Sequence, residues 1–181
     1  MACFTESKLR SYSRNRRLKK EARDNVKGFK SLAEATIFLS HSHSDKELVE
    51  GLINWLSSRG VEVYVDWEDD RMPEKTNAET ADRIKKQITK NNIFMMLATR
   101  NACNSRWVPW EVGIADEKKQ RDQILVVPVE DDSGKFHGNE YLQLYRSLRP
   151  QSSSFTKFGV YEPGKSRRKM MTEEYLRRYG G

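Results

Sequence analysis

The sequence predicts an α/β domain with a central parallel sheet of about 4–5 strands and helices on both faces. Four short apolar runs, rich in β-branched residues, have the composition of buried strands. Helical patterns separate these runs, and strands that alternate with helices form a parallel sheet through right-handed crossovers. The length of 181 residues is enough for one such domain with additional segments, because domains centre on about 100–150 residues.

Hydrophobic periodicity and capping residues place each element along the chain. In order, the predicted elements are helix 5–30, strand 35–40, helix 44–58, strand 61–66, helix 76–91, strand 93–98, helix 104–119, strand 124–129, helix 140–147, strand 158–161 and helix 168–178. Thr5 can cap the first helix, and Ser44 with Glu47 forms a capping box for the second. Pro128 is disfavoured in a central strand, so we expect it at a strand end or a sheet edge.

The charge distribution divides the chain into a central domain at residues 35–150 and two basic extensions, 1–34 and 151–181. Residues 1–35 carry a net charge of +6 and residues 163–181 carry +4, whereas the part between them carries −3. Basic segments can contact phosphates or acidic surfaces, but solvated helix faces are the commoner explanation. We therefore expect the basic faces of the extensions to be solvated, with no nucleic acid partner, and the N-terminal segment to pack on the main domain or on a second copy.

The predicted loops after the strands, at residues 40–44, 66–75 and 99–107, are the expected location of the functional site. Ligands of open α/β sheets bind at the carboxyl ends of the strands, near a change in strand order. The loop at 66–75 is charged and too long for a simple turn, and such loops are often functional.

Trp107 and Glu111 form the strongest candidate pair in these loops. They are four residues apart, so on a helix they lie on the same face, one turn from each other. Asn104 or Ser105 can cap that helix, and Pro109 is tolerated only in its first turn. An indole beside a carboxylate suits a nucleotide-sugar pocket, whereas a core Trp with a solvated Glu is the alternative. The pair alone leaves these two interpretations equally open.

Several other classes of site do not fit the motifs. The chain has no Gly-x-Gly-x-x-Gly and no Gly-Lys-Ser/Thr loop, which argues against dinucleotide oxidoreductases and P-loop enzymes. His41, His43 and Asp45 lack a further strong ligand, so a polar loop is favoured and no metal is expected. A receiver phosphorylation site requires an Asp at the end of the third strand, and no Asp stands there. No Ser has the surrounding motif of a nucleophile elbow.

The composition points to a cytoplasmic protein without a membrane segment. No apolar run approaches the ~18 residues of a membrane span. The first residues lack the basic-then-apolar pattern of a secretory signal. Cys3 and Cys103 have no metal-type spacing, and reduced thiols are expected in the cytosol.

Three motifs, in order and spacing, resemble the stand-alone bacterial branch of the Toll/interleukin-1 receptor (TIR) domain family. They are Phe38-Leu39-Ser40-His41-Ser42, Val63-Tyr64-Val65-Asp66, and Asn104-Ser105-Arg106-Trp107 with Glu111. The resemblance covers roughly residues 35–150 and implies a flavodoxin-like, three-layer fold. Many bacterial and plant members cleave NAD and release nicotinamide. Several bacterial members act in anti-phage defence of the Thoeris kind and make a cyclic or modified ADP-ribose signal for an effector.

The resemblance implies roles for individual residues. In the family, the acidic residue of a Trp-x-x-x-Glu pattern is catalytic, and this residue is Glu111 here. The implied substrate-binding residues are Phe38, Ser40, His41, Asp66, Trp67, Ser105 and Trp107. For Asp66, capping of the following loop is an equally good explanation, and Trp110 is expected in the core.

The resemblance also implies partners. NAD+ is expected as the substrate with no further cofactor, and self-association into a homo-oligomer is expected because TIR sites commonly need a neighbouring copy. The alternative is a TIR module that signals by homotypic assembly without catalysis.

Overall fold

The computed structural model describes residues 2–21, 35–59, 61–65, 78–152, 155 and 157–180. The strands are β1 (Phe4–Thr5), β2 (Thr36–Ser40), β3 (Glu62–Tyr64), β4 (Ile93–Ala98), β5 (Ile124–Glu130), β6 (Arg146–Pro150), β7 (Phe158–Tyr161) and β8 (Arg168–Met171). The helices are α1 (Glu6–Arg14), α2 (Lys46–Ser57), α3 (Ala78–Lys90), α4 (Arg100–Cys103), α5 (Val108–Lys118) and α6 (Thr172–Gly180). Shorter 3₁₀ turns lie at His43–Asp45, Arg121–Gln123 and Glu140–Leu144.

All eight of these strands belong to one sheet, in the order β3-β2-β4-β5-β6-β7-β8, with β1 added beside β5. Every pairing from β3 to β6 is parallel, and β7 and β8 continue the sheet in antiparallel pairs. The predicted α/β architecture is therefore confirmed, and the antiparallel strands extend it beyond the predicted size.

The sheet separates two apolar clusters, one on each face. Face one is packed by α1, α2 and α6, and face two by α3, α4 and α5. Strand β4 is buried at every position and sends alternate side chains to the two clusters. This burial explains its unbroken apolar sequence, because a parallel strand covered on both faces has no polar side.

The N-terminal helix is shorter than predicted. Thr5 caps it as expected, its hydroxyl accepting a hydrogen bond from the Lys8 amide at 3.2 Å. The single helix predicted over 5–30 is wrong, however, because α1 ends before Asn15 and a second helical segment covers 16–21. The Asn15 side chain accepts the amides of Arg17 and Leu18, so it caps that second segment.

The capping box predicted for α2 is also wrong. Ser42, not Ser44, provides the side-chain cap, and it caps the 3₁₀ turn that precedes the helix. The Glu47 carboxylate instead forms an ion pair with Arg14 of α1 at 2.8 Å. A contact between helices thus replaced the local one that the sequence suggested.

Two further predictions were wrong, because they concern residues whose structure depends on neighbouring strands. Pro128 lies inside the sheet, not at an edge, at the place where β5 changes its partner from β6 to β1. Helices were predicted to include residues 145–147 and 168–171, but strand β6 begins at Arg146 and strand β8 covers 168–171. The strand predicted at 158–161 is confirmed. Their polar sequences form strands because β5 and β7 supply backbone partners.

The described parts of both predicted extensions share the central core. In α1, Leu9 is fully buried, and α2 approaches so closely that a Cβ on Gly51 would lie 2.0 Å from the Leu9 carbonyl oxygen. In α6, Tyr175 donates to the Asp122 carbonyl at 2.7 Å and Tyr179 to its carboxylate at 2.5 Å. In the described part of the chain, no helix is both long and apolar enough to cross a membrane.

If α1 is part of the core, Leu9→Ala will lower the free energy of unfolding by about 2–5 kcal/mol, because it leaves a cavity between α1 and α2. The matched control is Ser11→Ala on the exposed side of α1, which should change stability by less than about 0.5 kcal/mol. Urea denaturation followed by circular dichroism measures both. Equal, small effects for the two variants would show that α1 is a peripheral attachment.

Candidate active site

A buried carboxylate lies where β2 ends and α5 begins. Ser40 is the last residue of β2, and Glu111 lies in the first turn of α5. The Ser40 hydroxyl donates a short hydrogen bond to Glu111 Oε2. Both side chains are almost inaccessible, with 1% of Ser40 and 6% of Glu111 exposed. The first turn of a helix favours a negative charge, so this position suits a carboxylate.

The start of α5 is set by Ser105 and Pro109. The Ser105 hydroxyl accepts the amides of Trp107 at 3.1 Å and Val108 at 3.4 Å, as a capping residue does. Pro109 lies at the beginning of the helix, which confirms its predicted place in the first turn. The predicted helix over 104–119 is in fact shorter, because α5 begins only at Val108, after the turn that Ser105 caps.

Trp107 lies at the N-terminal end of α5, half-buried, one turn before Glu111. Its carbonyl accepts the Glu111 amide at 2.9 Å. Its ring meets the ring of Trp110 edge-on, with centroids 5.1 Å apart. Trp110 is half-buried and packs against the face-two cluster, so it is less buried than expected.

His41 follows Ser40 directly and is held in place by the backbone. Its Nδ1–H donates to the Leu39 carbonyl at 2.9 Å, and only 8% of the residue is exposed. The ring of His43 lies 5.8 Å away, in the next turn of chain. The two imidazoles therefore lie at the carboxyl end of β2, close to the Ser40–Glu111 pair.

Of the other predicted substrate residues, the structure describes Phe38 but not Asp66 or Trp67. Phe38 is packed between the rings of Tyr64 and Phe94, each 5.7 Å away, and is 2% exposed. This position gives Phe38 a packing role, and a contact with substrate stays a prediction. Asp66 and Trp67, with the loop that follows β3, lie outside the described residues.

Asp45 is a buried residue of this region that the sequence placed in a polar loop, without a predicted partner. Its carboxylate accepts the Thr99 hydroxyl at 2.5 Å and the Asn101 amide at 2.7 Å. Thr99 also caps α4 by accepting the Ala102 amide at 3.0 Å. Asp45 thus ties the turn after β2 to the turn after β4. No sequence motif could reveal this contact, because 54 residues separate Asp45 from Thr99.

Within the described ranges, no group of three or more His, Cys, Asp or Glu side chains is arranged to hold a metal ion. His137 instead pairs with Asp131 at 2.6 Å, in the loop after β5. Hydrogen bonds from Ser133, His137 and Lys135 hold the pKa of Asp131 well below its usual range.

The model of the TIR domain family matches residues 37–157, from β2 to the start of β7. The chain belongs to the TIR domain family. The match contains the whole site described above, from Ser40 to Glu111.

Two curated relatives match part of this chain. A Bacillus cereus (strain MSX-D12) protein named "Probable 3' cyclic ADP-D-ribose synthase ThsB'" is 36% identical over 111 residues, 60% of this chain. A Cytobacillus dafuensis protein named "Putative cyclic ADP-D-ribose synthase TIR2" is 26% identical over 84 residues, 45% of this chain. The alignments span 58% of the first relative's length and 22% of the second's.

If Asp45 fixes the two turns of this TIR site, Asp45→Asn will lower the free energy of unfolding by about 1–3 kcal/mol, because an amide cannot accept both donors equally well. Asp82→Asn on the exposed side of α3 is the matched control, expected to change it by less than about 0.5 kcal/mol. Urea denaturation of both variants gives the comparison. An Asp45 variant as stable as the control would contradict this structural role.

Proposed function

We propose that this TIR domain cleaves the nicotinamide–ribose bond of NAD+ and closes the remaining ADP-ribose into a cyclic product. Hydrolysis to ADP-ribose is the competing outcome. The names of both relatives contain the words cyclic ADP-D-ribose synthase, and these names support the cyclase assignment. Within the chain, the observation that carries the proposal is the Glu111 carboxylate, buried at the start of α5 and bonded to Ser40.

One carboxylate is enough for this reaction because of its leaving group. Nicotinamide is already a cation in NAD+, so the C–N bond breaks with both electrons going to nitrogen and nicotinamide leaves neutral. No general acid has to protonate it, whereas ordinary glycosidases mostly use two carboxyl groups. The step leaves positive charge on the ribose, and Glu111 would stabilise that oxocarbenium-like centre and hold its hydroxyls.

The second half of the reaction adds an oxygen to the same ribose carbon. In the cyclase, a hydroxyl of the same ADP-ribose forms the new C–O bond and loses its proton, so the product is closed. In the hydrolase, water supplies that oxygen. Exclusion of water from a buried carboxylate would favour closure, and 6% exposure of Glu111 agrees with such a site.

The neighbouring residues would shape the pocket. The half-buried Trp107 ring would form one wall, and Ser40 and His41 would line the end of β2, each already held by a hydrogen bond. Ser105 would act mainly by fixing the start of α5, since its hydroxyl accepts two backbone amides. Asp66 and Trp67 would control access to the pocket, and Phe38 would pack beneath its floor.

The biological role follows as part of the proposal. A cyclic nucleotide product acts as a signal, so a cytoplasmic anti-phage defence protein of the Thoeris kind, with a separate effector that recognises the product, is the role that fits. Self-association through TIR–TIR contacts would assemble the active form. No further cofactor is proposed, because the chemistry needs only NAD+ and the carboxylate.

The test replaces Glu111 with Gln, which keeps the shape of the side chain and removes its charge. Nicotinamide release from NAD+ by concentrated protein should fall by about 10²–10³-fold, the range for loss of one electrostatic stabiliser. Glu117→Gln, an exposed position on the same helix, is the matched control and should retain wild-type release. Chromatography quantifies nicotinamide, and mass spectrometry separates a cyclic product from ADP-ribose by the mass of one water.

Unchanged release in the Glu111 variant would reject its assignment. If the folded, concentrated wild-type protein releases no nicotinamide yet self-associates, the alternative of a non-catalytic TIR assembly module is supported instead.

A further inference from the structure

Arg149 is a buried cation that the proposed reaction does not use. It lies in β6, three strands from β2 in the sheet order, roughly 14 Å from the Ser40 strand at the usual spacing. Only 4% of the residue is exposed, and it forms no ion pair with any carboxylate of the described residues. Buried charges in proteins are normally paired, so this arginine requires an explanation.

The contacts of Arg149 leave one hydrogen-bonding edge incomplete. Its Nη2 donates to the Lys165 carbonyl at 2.9 Å, and its guanidinium lies 3.9 Å from the centre of the Tyr161 ring. Its Nε is buried and has no hydrogen-bond partner in the described part of the chain. Nε and Nη2 share the edge with which an arginine binds two oxygens of a carboxylate or phosphate.

A second arginine lies on the same face of the sheet, on the other side of β7. Gly159 pairs with Arg149 across the strands, so a side chain there would lie on the same face as Arg149. The stem of Arg168, from β8, crosses that glycine, with Cδ 2.4 Å and Cγ 2.6 Å from where a Cβ would stand. The missing side chain of Gly159 therefore lets two like charges approach one face of the sheet.

The exposed surroundings of Arg149 add positive charge. Residues 165–169 are all exposed and contain four cations, Lys165, Arg167, Arg168 and Lys169. Two nearby acidic side chains have other partners. Glu162 pairs with Arg146 at 2.9 Å, and Glu130 is hydrogen-bonded to the thiol of Cys3, which interacts electrostatically with Arg149. The potential at this face therefore favours an anion.

We propose that Arg149 and Arg168 form a binding site for a single phosphate group of a small molecule. A tetrahedral oxyanion would supply the acceptor that the buried Nε of Arg149 lacks and would separate the two guanidinium charges. A small anion fits better than a nucleic acid backbone, because only 4% of Arg149 is exposed. Tyr161 is also too buried to stack on a base. The family match ends at residue 157, so Arg168 and Tyr161 lie outside the TIR region.

Isothermal titration calorimetry on the full chain tests this site, with inorganic phosphate and pyrophosphate as probes at constant ionic strength. Arg168→Gln, an exposed position, should weaken binding about tenfold, the loss expected when one charged hydrogen-bonding partner is removed. The matched control is Arg167→Gln, which removes the same charge from the neighbouring residue and should change affinity less than about twofold. Arg149→Lys keeps a charge but loses the two-donor edge, so it should also weaken binding.

Binding by Arg168→Gln as tight as by wild type would overturn the proposal, because Arg168 would then contribute nothing. Equal weakening in Arg168→Gln and Arg167→Gln would also overturn it, because binding would then reflect net charge alone. Absence of saturable phosphate or pyrophosphate binding would overturn it as well, even if a DNA duplex bound. The measurement contains no NAD+, so its outcome is independent of the catalytic proposal.

Discussion

The hydrogen bond between Ser40 and Glu111 is the contact around which the candidate site is built. A buried carboxylate is costly unless it is hydrogen-bonded, and the Ser40 hydroxyl supplies one donor at the end of β2. That contact requires α5 to begin at the carboxyl edge of the sheet. The apolar residues Val108, Val112 and Ala115 of α5 pack against face two of the sheet, so core packing fixes the position of the Glu111 carboxylate.

The turns around this contact are restrained by hydrogen bonds from neighbouring side chains. Asp45 links the turns after β2 and β4, and Ser105 fixes the residue at which α5 begins. His41 is held by its own strand through the Leu39 carbonyl. A site held in this way needs little reorganisation during the reaction. Charged and polar groups stabilise a transition state best when they are already fixed in position.

The far edge of the sheet has a different character. There the antiparallel strands β7 and β8 and helix α6 complete the core, and Tyr175 and Tyr179 attach α6 to Asp122. The basic charge of the C-terminal part is concentrated on the β7–β8 connection and on β8, above the buried Arg149. The excess positive charge of the sequence therefore includes a local, structured component and is not spread evenly over solvated helices.

The sequence by itself determined the alternating strands and helices and the buried character of β2, β4 and β5. It also made Glu111 a candidate, and the catalytic role of that residue stays a prediction. These features are local, because apolar periodicity, Pro109 and the Trp107–Glu111 spacing are visible within one or two turns of chain. Only the tertiary structure decided that α1 and α6 share the core, that polar residues 146–150 and 168–171 are strands, and that Asp45 meets Thr99. Such pairings join residues far apart in sequence, and their hydrogen bonds and burial exist only once the neighbouring elements are in place.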